Sequence, residues 1–122
     1  MNRLLALLID VALVLAFATT GRASHDEGIS VVGVLETAWP FLVGLLAGWL
    51  MLAMTQWPVL SWRSGVAVWL CTLVGGMALR ILTDAGTALP FVVVATLVTG
   101  VLLVGWRLVR SAATQGGRAS AR

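Results

Sequence analysis

The sequence predicts an all-α integral membrane protein with four transmembrane helices, and three observations support this fold class. The chain of 122 residues is 60% hydrophobic and 11% charged, and its mean hydropathy is +1.01. A soluble domain of this length needs far more charge on its surface. Four apolar runs, separated by turn-forming residues, are each long enough to cross about 30 Å of hydrocarbon.

The predicted helices follow these runs in order and cover residues 4–20, 39–57, 64–82 and 89–106. Together they form one transmembrane domain over residues 1–107. Residues 21–38 connect the first two helices, whereas the short turns "PVLSWR" and "TDAGTA" connect the others. Residues 108–122 are rich in Gly, Ser, Ala and Arg, carry little apolar surface and are predicted to be a disordered basic tail.

The first run has some features of a cleaved signal peptide, because Arg3 precedes an apolar core and small residues follow it. However, Asp10 interrupts that core, and the sequence Gly21-Arg22-Ala23 is a poor cleavage site. We therefore interpret the run as the first transmembrane helix.

The placement of the arginines predicts that both termini are cytoplasmic. With the N-terminus inside, only Arg22 and Arg80 fall outside, and six arginines fall inside: Arg3, Arg63, Arg107, Arg110, Arg118 and Arg122. Cytoplasmic ends of transmembrane helices carry such an excess of basic residues. Tryptophans at the predicted helix ends, Trp39 outside and Trp57, Trp62 and Trp106 inside, fit the two membrane interfaces.

The basic residues also bear on the source and the partners of the protein. All eight are arginine, which is typical of a GC-rich genome and suggests a multi-pass protein of a bacterial cytoplasmic membrane. They are scattered, without a basic amphipathic helix or a stacking platform, so no nucleic acid is expected as a partner.

Two segments of the chain resemble each other. "RASHDEG" at 22–28 matches "RILTDAG" at 80–86, and "TAWPFLV" at 37–43 matches "TALPFVV" at 87–93, with 8 identities in 14 positions. The chain therefore reads as two pseudo-repeated helical hairpins that enter the membrane from the same side. Thr37 and Thr87 are predicted to cap the following helices, with Pro40 and Pro90 in the first turns.

The outer turns leave two interpretations open for Arg22, His25, Asp26, Arg80 and Asp84. In the simpler one they are hairpin turns: an arginine ends the helix, an aspartate lies four residues on, and Gly28 or Gly86 supplies a positive φ. In the other, the two turns form an outward-facing polar pocket. No metal site is expected, because His25, Asp26 and Glu27 are consecutive and lack ligand spacing.

The motifs together resemble domain-of-unknown-function family 3054, a family of small bacterial and archaeal integral membrane proteins. The resemblance rests on Asp10, "GRASHDEG", "TAWPFLVG", "GGMALR", "GTALPFVVVATLV" and "GWR", which ends at Arg107, in that order. It covers nearly the whole chain to Arg107. It implies a membrane protein and offers no activity, substrate, cofactor or site residue.

Asp10 is the first candidate for a functional side chain, because a carboxylate in mid-helix costs about 2.5–3.5 kcal/mol to insert. It is expected near the depth of Cys71, Thr72 and Thr99. The two threonine hydroxyls would hydrogen-bond it, and apolar surroundings favour its neutral form. Three roles remain open: a protonated group that joins helices, a proton carrier, or a contact to a partner.

Small residues predict where helices approach closely. They are Gly44 and Gly48 in helix 2 and Ala67, Cys71 and Gly75 in helix 3, with Thr96 and Gly100 in helix 4. We interpret these residues as packing positions.

The first functional hypothesis is transport or permeation, through a homo-oligomer since four helices enclose little volume. The alternative is a non-catalytic accessory or structural subunit that docks a larger membrane complex. No paired catalytic residues fall in the hydrocarbon region, so no enzyme and no cofactor are expected.

Overall fold

A computed structural model of the chain describes residues 2–24 and 29–121. Within this part of the chain there are four α-helices: α1 (Arg3–Ser24), α2 (Val31–Thr55), α3 (Trp62–Leu82) and α4 (Leu89–Ala121). Each contains a stretch that is long and apolar enough to cross a membrane. The predicted all-α chain with four helices of membrane-spanning length and composition is therefore confirmed.

The helices form a ring in chain order, in which each packs against the next and α4 closes the ring against α1. We call the end that holds Arg3, the α2–α3 loop (residues 56–61) and Arg107 the basal end. The apical end holds Arg22 and the α3–α4 loop (residues 83–88).

Each helix turns a stripe of buried residues, spaced three or four positions apart, toward the ring interior, as the 3.6-residue period of a helix requires. The stripes are Ala6, Asp10, Val14 and Phe17 in α1; Ala38, Phe41, Leu45, Gly48 and Leu52 in α2; Ser64, Val68, Thr72 and Gly76 in α3; and Ala95, Thr99, Leu103 and Arg107 in α4. Large apolar side chains such as Leu50, Val74 and Val101 are exposed on the outside. Polar groups inside and apolar groups outside are the arrangement that a lipid environment favours.

Helix α2 begins eight residues before its predicted start, so the long connector is largely helical. Its N-cap is Ser30, whose hydroxyl oxygen accepts a hydrogen bond from the Gly33 N–H at 3.0 Å. Pro40 consequently lies inside the helix and not in its first turn. The Glu36 carbonyl then receives no N–H from residue 40, a loss that an otherwise well-formed helix tolerates.

The predicted threonine caps are wrong. Ser30 holds the cap position of α2, and Ala88 is the residue that precedes α4. Pro90 does lie in the first turn of its helix, as predicted. In the apical loop Gly86 has a φ of +89°, the left-handed conformation expected of a glycine at that turn, and Asp84 shares the left-handed region with a φ of +56°.

Helix α4 continues to Ala121, through residues that composition alone predicts to be disordered. The segment after Arg107 contains no proline, and Leu, Arg, Ala and Gln are good helix formers. A helix already anchored in the bundle also has no nucleation cost to overcome, so it extends more easily than an isolated peptide.

Candidate functional site

The centre of the basal half of the bundle is an ion pair between Asp10 of α1 and Arg107 of α4. Two guanidinium nitrogens face the two carboxylate oxygens, Nη1 to Oδ1 at 3.0 Å and Nη2 to Oδ2 at 2.8 Å. Both side chains have no exposed surface. The pair is therefore bidentate, buried, and joins the first and last helices of the ring.

Two indole groups complete the shell of Asp10. Trp49 of α2 donates from Nε1 to Oδ2 at 2.9 Å, and Trp106 of α4 donates from Nε1 to Oδ1 at 2.8 Å. Each carboxylate oxygen therefore accepts two N–H groups. A protonated carboxyl would need an acceptor for its O–H, whereas all four contacts are donors, so the arrangement fits an ionised carboxylate.

Arg107 also ties the carboxylate to the basal loop. Its Nε donates to the Val59 carbonyl at 2.8 Å, and its Nη1 donates to the Leu103 carbonyl one turn earlier in α4 at 2.8 Å. The guanidinium carbon lies 4.8 Å from the centre of the Trp106 ring. One side chain thus holds α1, α4 and the α2–α3 loop together.

Gly65 of α3 leaves the space that Arg107 fills. A Cβ at position 65 would lie 2.8 Å from the Arg107 Cδ and 3.2 Å from the Leu103 carbonyl oxygen. The arginine therefore contacts α3 through a position without a side chain, and the network touches all four helices.

The expected partners of Asp10 were wrong. The Thr72 hydroxyl donates to the Val68 carbonyl in its own helix at 2.7 Å, and the Thr99 hydroxyl donates to the Ala95 carbonyl. A threonine in a helix readily satisfies its hydroxyl one turn back. Both are buried in the ring, but their hydroxyls donate to their own helices and not to Asp10.

Trp49, Trp106 and Arg107 were not predicted as partners of Asp10, because the last two were expected at the membrane surface. A signal was nevertheless present. Ala95, Thr99, Leu103 and Arg107 are four residues apart, and apolar Leu108 and Val109 follow them. Extending the apolar face of α4 by one more turn places Arg107 inside, opposite the carboxylate that lacks a counterion.

The apical arginines have separate surroundings. Arg22 donates to the Thr37 hydroxyl at 3.3 Å and covers Gly33, so it joins α1 to α2. Arg80 donates to the carbonyl oxygens of Ala85 and Gly86 at 3.0 and 2.8 Å, which fixes the α3–α4 loop. Its guanidinium carbon also lies 4.2 Å from the centre of the Phe91 ring.

Of the other predicted apical residues, the structure describes only Asp84. Asp84 is exposed in the α3–α4 loop. His25 and Asp26 lie outside the described residues, so the predicted polar pocket stays a prediction. Over the described residues, no group of three or more His, Cys, Asp or Glu side chains is arranged to hold a metal ion.

The small residues of helices 2 and 3 lie along the contact between α2 and α3. A Cβ added at Gly44 would meet the Cys71 carbonyl oxygen at 2.6 Å, and one at Gly75 would meet the Gly44 Cα at 2.9 Å. Gly48 similarly faces Cys71 and Val68. These positions bring the two backbones together, as small residues do between membrane helices.

The remaining packing residues have weaker or different roles. Ala67 is partly buried, and Cys71 is a free, partly buried thiol. In α4, Gly100 accommodates the indole of Trp69, which donates to the Thr96 carbonyl at 3.1 Å. A tryptophan from α3 therefore fills the site that the sequence assigned to a close helix contact.

Loss of one indole donor will destabilise the protein. We expect Trp49→Phe to lower the free energy of unfolding by about 1.5–3 kcal/mol, the usual worth of a hydrogen bond to a charged group. Unfolding by sodium dodecyl sulfate in mixed micelles, followed by circular dichroism, measures the change. The control is Trp39→Phe, an exposed apical position, for which we expect less than about 0.5 kcal/mol. Equal effects at the two positions would contradict the role of Trp49.

The four residues of the Asp10 network fall in the part of the chain that a family model matches. The model, described as a protein of unknown function (DUF3054), matches residues 7–110. No curated protein and no solved structure matches the chain. The match spans most of the 122 residues and agrees with the resemblance seen in the sequence motifs. The chain therefore belongs to the DUF3054 family, whose members are proteins of unknown function.

Proposed function

We propose that the protein is a non-catalytic accessory or structural subunit of a larger membrane complex. The observation that supports this function is that the buried polar side chains already have hydrogen-bond partners. Among the described residues, every buried side-chain nitrogen or oxygen has a hydrogen-bond partner. Asp10, the side chain best suited to carry a proton, accepts four N–H groups and has a counterion. The described part of a single bundle therefore offers no buried, unpaired polar side chain to a passing ion.

The outer surface offers places where a partner helix would fit. A groove of about 560 Å³ follows the α2–α3 contact, and its walls include Ala47, Val74 and Ala78. A second, of about 480 Å³, follows the α3–α4 contact beside Gly105 and Val101. Membrane helices associate through such grooves because small residues let side chains of a neighbour pack deeply.

The proposed location is the cytoplasmic membrane of a bacterium, with the basal end inside. Arginine placement supports this orientation. Apart from the paired Asp10 and Arg107, the basal part of the sequence carries Arg3, Arg63, Arg110, Arg118 and Arg122 and no carboxylate. In the apical part of the sequence the arginines are Arg22 and Arg80. Cytoplasmic loops show such an excess of arginine.

The two hairpins are proposed to be pseudo-repeats. In support, Phe41 and Phe91, which occupy equivalent positions in the matched segments, pack with their ring centres 6.0 Å apart. Phe17 joins them with an edge-on contact to Phe41 at 5.2 Å. The early start of α2 departs from the symmetry. Helix α2 begins six residues before its matched segment, whereas α4 begins two residues after the start of its own.

Transport or permeation through a homo-oligomer is the second candidate, and the location of the ion pair favours it. Ionisable residues inside membrane proteins often belong to ion or proton paths. In such a mechanism protonation of Asp10 would free Arg107 and loosen the contact between α1 and α4. This step needs an oligomer to supply a path, because one ring encloses little space.

Reconstitution distinguishes the two candidates. Purified protein in liposomes that contain a pH-sensitive dye is expected to give no proton or ion flux above that of empty liposomes. If the protein is a subunit, a stoichiometric membrane protein co-purifies with it in mild detergent, and Gly105→Trp, which blocks the α3–α4 groove, releases that protein. The matched control is Leu8→Trp on the exposed face of α1, where the side chain is 54% exposed. A flux that disappears with Asp10→Asn would overturn the proposal in favour of transport.

A further inference from the structure

A pocket at the basal end shares Val59 with the ion-pair network, but its polar side chains, Arg3 and Gln56, belong neither to that network nor to the proposed subunit contacts. It has a volume of about 480 Å³ and is lined by Arg3 of α1 and by residues 56–60 of the α2–α3 loop. The other grooves found in the described residues are lined mainly by apolar side chains. This pocket differs from them because Arg3 and Gln56 form part of its lining.

Three side chains of the pocket wall carry hydrogen-bond donors. They are the Arg3 guanidinium, the Gln56 carboxamide and the Trp57 indole. Within the described part of the chain none of the three makes a side-chain hydrogen bond or an ion pair. Three N–H donor groups, one of them cationic, suit an anion with several acceptor oxygens.

Among the described residues, no acidic side chain at the basal end is available to pair with these donors. The basal carboxylate is Asp10, which is buried and fully paired with Arg107. The other described acidic residues, Glu36 and Asp84, lie in the apical half. Arg63 and Arg110 add positive charge at the basal end. The electrostatic potential at the pocket therefore favours an anion from outside the protein.

The depth of the pocket identifies the kind of anion. Arg3 begins α1, and Gln56 follows the end of α2, so the pocket lies where two membrane-length helices meet the interface. Trp57 is 46% exposed, and Leu4, which follows Arg3 in the chain, is 64% exposed. Indoles settle at the level of lipid headgroups, and exposed leucines contact acyl chains. A phospholipid supplies both an anion with several acceptor oxygens and apolar tails at this depth.

We propose that Arg3, Gln56 and Trp57 bind the phosphate of an anionic phospholipid. Arginine grips phosphate oxygens in a bidentate manner, and the amide and indole supply further N–H groups. The pocket floor is fixed, because the Val59 carbonyl accepts the Nε of Arg107. This site is independent of the proposed subunit role.

Native mass spectrometry in detergent, with added phosphatidylglycerol or phosphatidylcholine, tests the site. Detergent micelles have no two sides, so the measurement does not depend on orientation. We expect phosphatidylglycerol to bind at least about tenfold more tightly than phosphatidylcholine, because the trimethylammonium group of choline offsets the phosphate charge that attracts Arg3. Arg3→Gln is expected to abolish that preference, and Trp57→Phe to weaken it.

The matched control is Arg63→Gln, which removes the same charge from the same end but lies over Trp62 and outside the pocket. We expect it to leave the preference within about twofold. Circular dichroism establishes that each variant is folded. Equal loss in Arg63→Gln would show diffuse attraction and overturn the site. Equal binding of phosphatidylcholine, or of glycerol 1-phosphate without acyl chains, would overturn the phospholipid assignment.

Discussion

Arg107→Gln is expected to lower the free energy of unfolding by about 3–5 kcal/mol, the cost of removing one partner of a buried ion pair. The substitution leaves the Asp10 carboxylate without a cation, in a site with no exposed surface. It also weakens the contact to the Val59 carbonyl, which ties α4 to the basal loop. Unfolding by sodium dodecyl sulfate in mixed micelles, followed by circular dichroism, measures the loss. Asp10→Asn is expected to cost a similar amount, because it leaves the guanidinium uncompensated.

A double-mutant cycle separates the ion pair from general damage to the core. Asp10→Asn/Arg107→Gln removes both charges and keeps amide groups that can bond to each other and to the indoles of Trp49 and Trp106. We expect the double variant to be more stable than the sum of the single losses predicts, by about 2 kcal/mol. Arg63→Gln, at an exposed basal position, should change stability by less than about 0.5 kcal/mol. Strictly additive losses would mean that Asp10 and Arg107 do not interact.

The same cycle bears on the proposed function. If the pair serves only to hold the helices, the double variant still binds whatever partner the wild-type protein binds. If the pair carries protons, the double variant is folded and inactive in flux measurements. The unfolding measurements therefore test whether the two residues interact, and the binding and flux measurements test what the pair does.

The fold class followed from the sequence because lipid imposes a simple requirement on length and composition. A run of about twenty apolar residues satisfies its own backbone hydrogen bonds only as a helix. Helices 3 and 4 accordingly start within two residues of their predicted positions. The mispredicted ends are the end of α1, the start of α2 and the end of α4, where the helix continues into residues outside the apolar run.

The start of α2 shows why such ends are hard to predict. Pro40 is a strong signal for a first turn, and Thr37 is a good cap. In the folded protein Thr37 instead accepts a hydrogen bond from Arg22, and Gly33 lets that arginine lie against the helix. These tertiary contacts stabilise two further turns before the proline. Local propensity cannot report a contact with a residue fifteen positions away.

Arg107 was missed as a partner of Asp10 for a related reason. The sequence indicated that this carboxylate needs polar neighbours at its depth, and Thr99 lies on the correct face of α4. Arg107 is two turns away on the same face, and its long side chain reaches the carboxylate. Depth along a helix was judged from helix ends, and α4 extends farther than its apolar run. The error in one helix end therefore hid the most important contact in the site.

The contact between α2 and α3 leads to the second large effect. Gly44→Leu is expected to lower the free energy of unfolding by at least about 3 kcal/mol, the upper range for overpacking a tight contact. Even a Cβ at this position would lie 2.6 Å from the Cys71 carbonyl oxygen and 3.0 Å from the Thr72 Cα. These are backbone atoms of α3, so no side-chain rotation relieves the clash. The two helices must separate, and the buried faces beside Leu45 and Val68 lose their contact.

A glycine with open space around it gives the opposite result and completes the test. A Cβ at Gly105 of α4 meets nothing within 4 Å. Alanine is the better helix former by about 0.8–1.0 kcal/mol, so Gly105→Ala should leave the stability unchanged or raise it. The two variants are compared in the same detergent titration, with Gly44→Ala as an intermediate that costs about 1–2 kcal/mol. If Gly44→Leu unfolds at the same detergent fraction as Gly105→Ala, α2 and α3 do not meet through Gly44. If close backbone contact is the reason for this glycine, the loss of stability at position 44 is larger for Leu than for Ala.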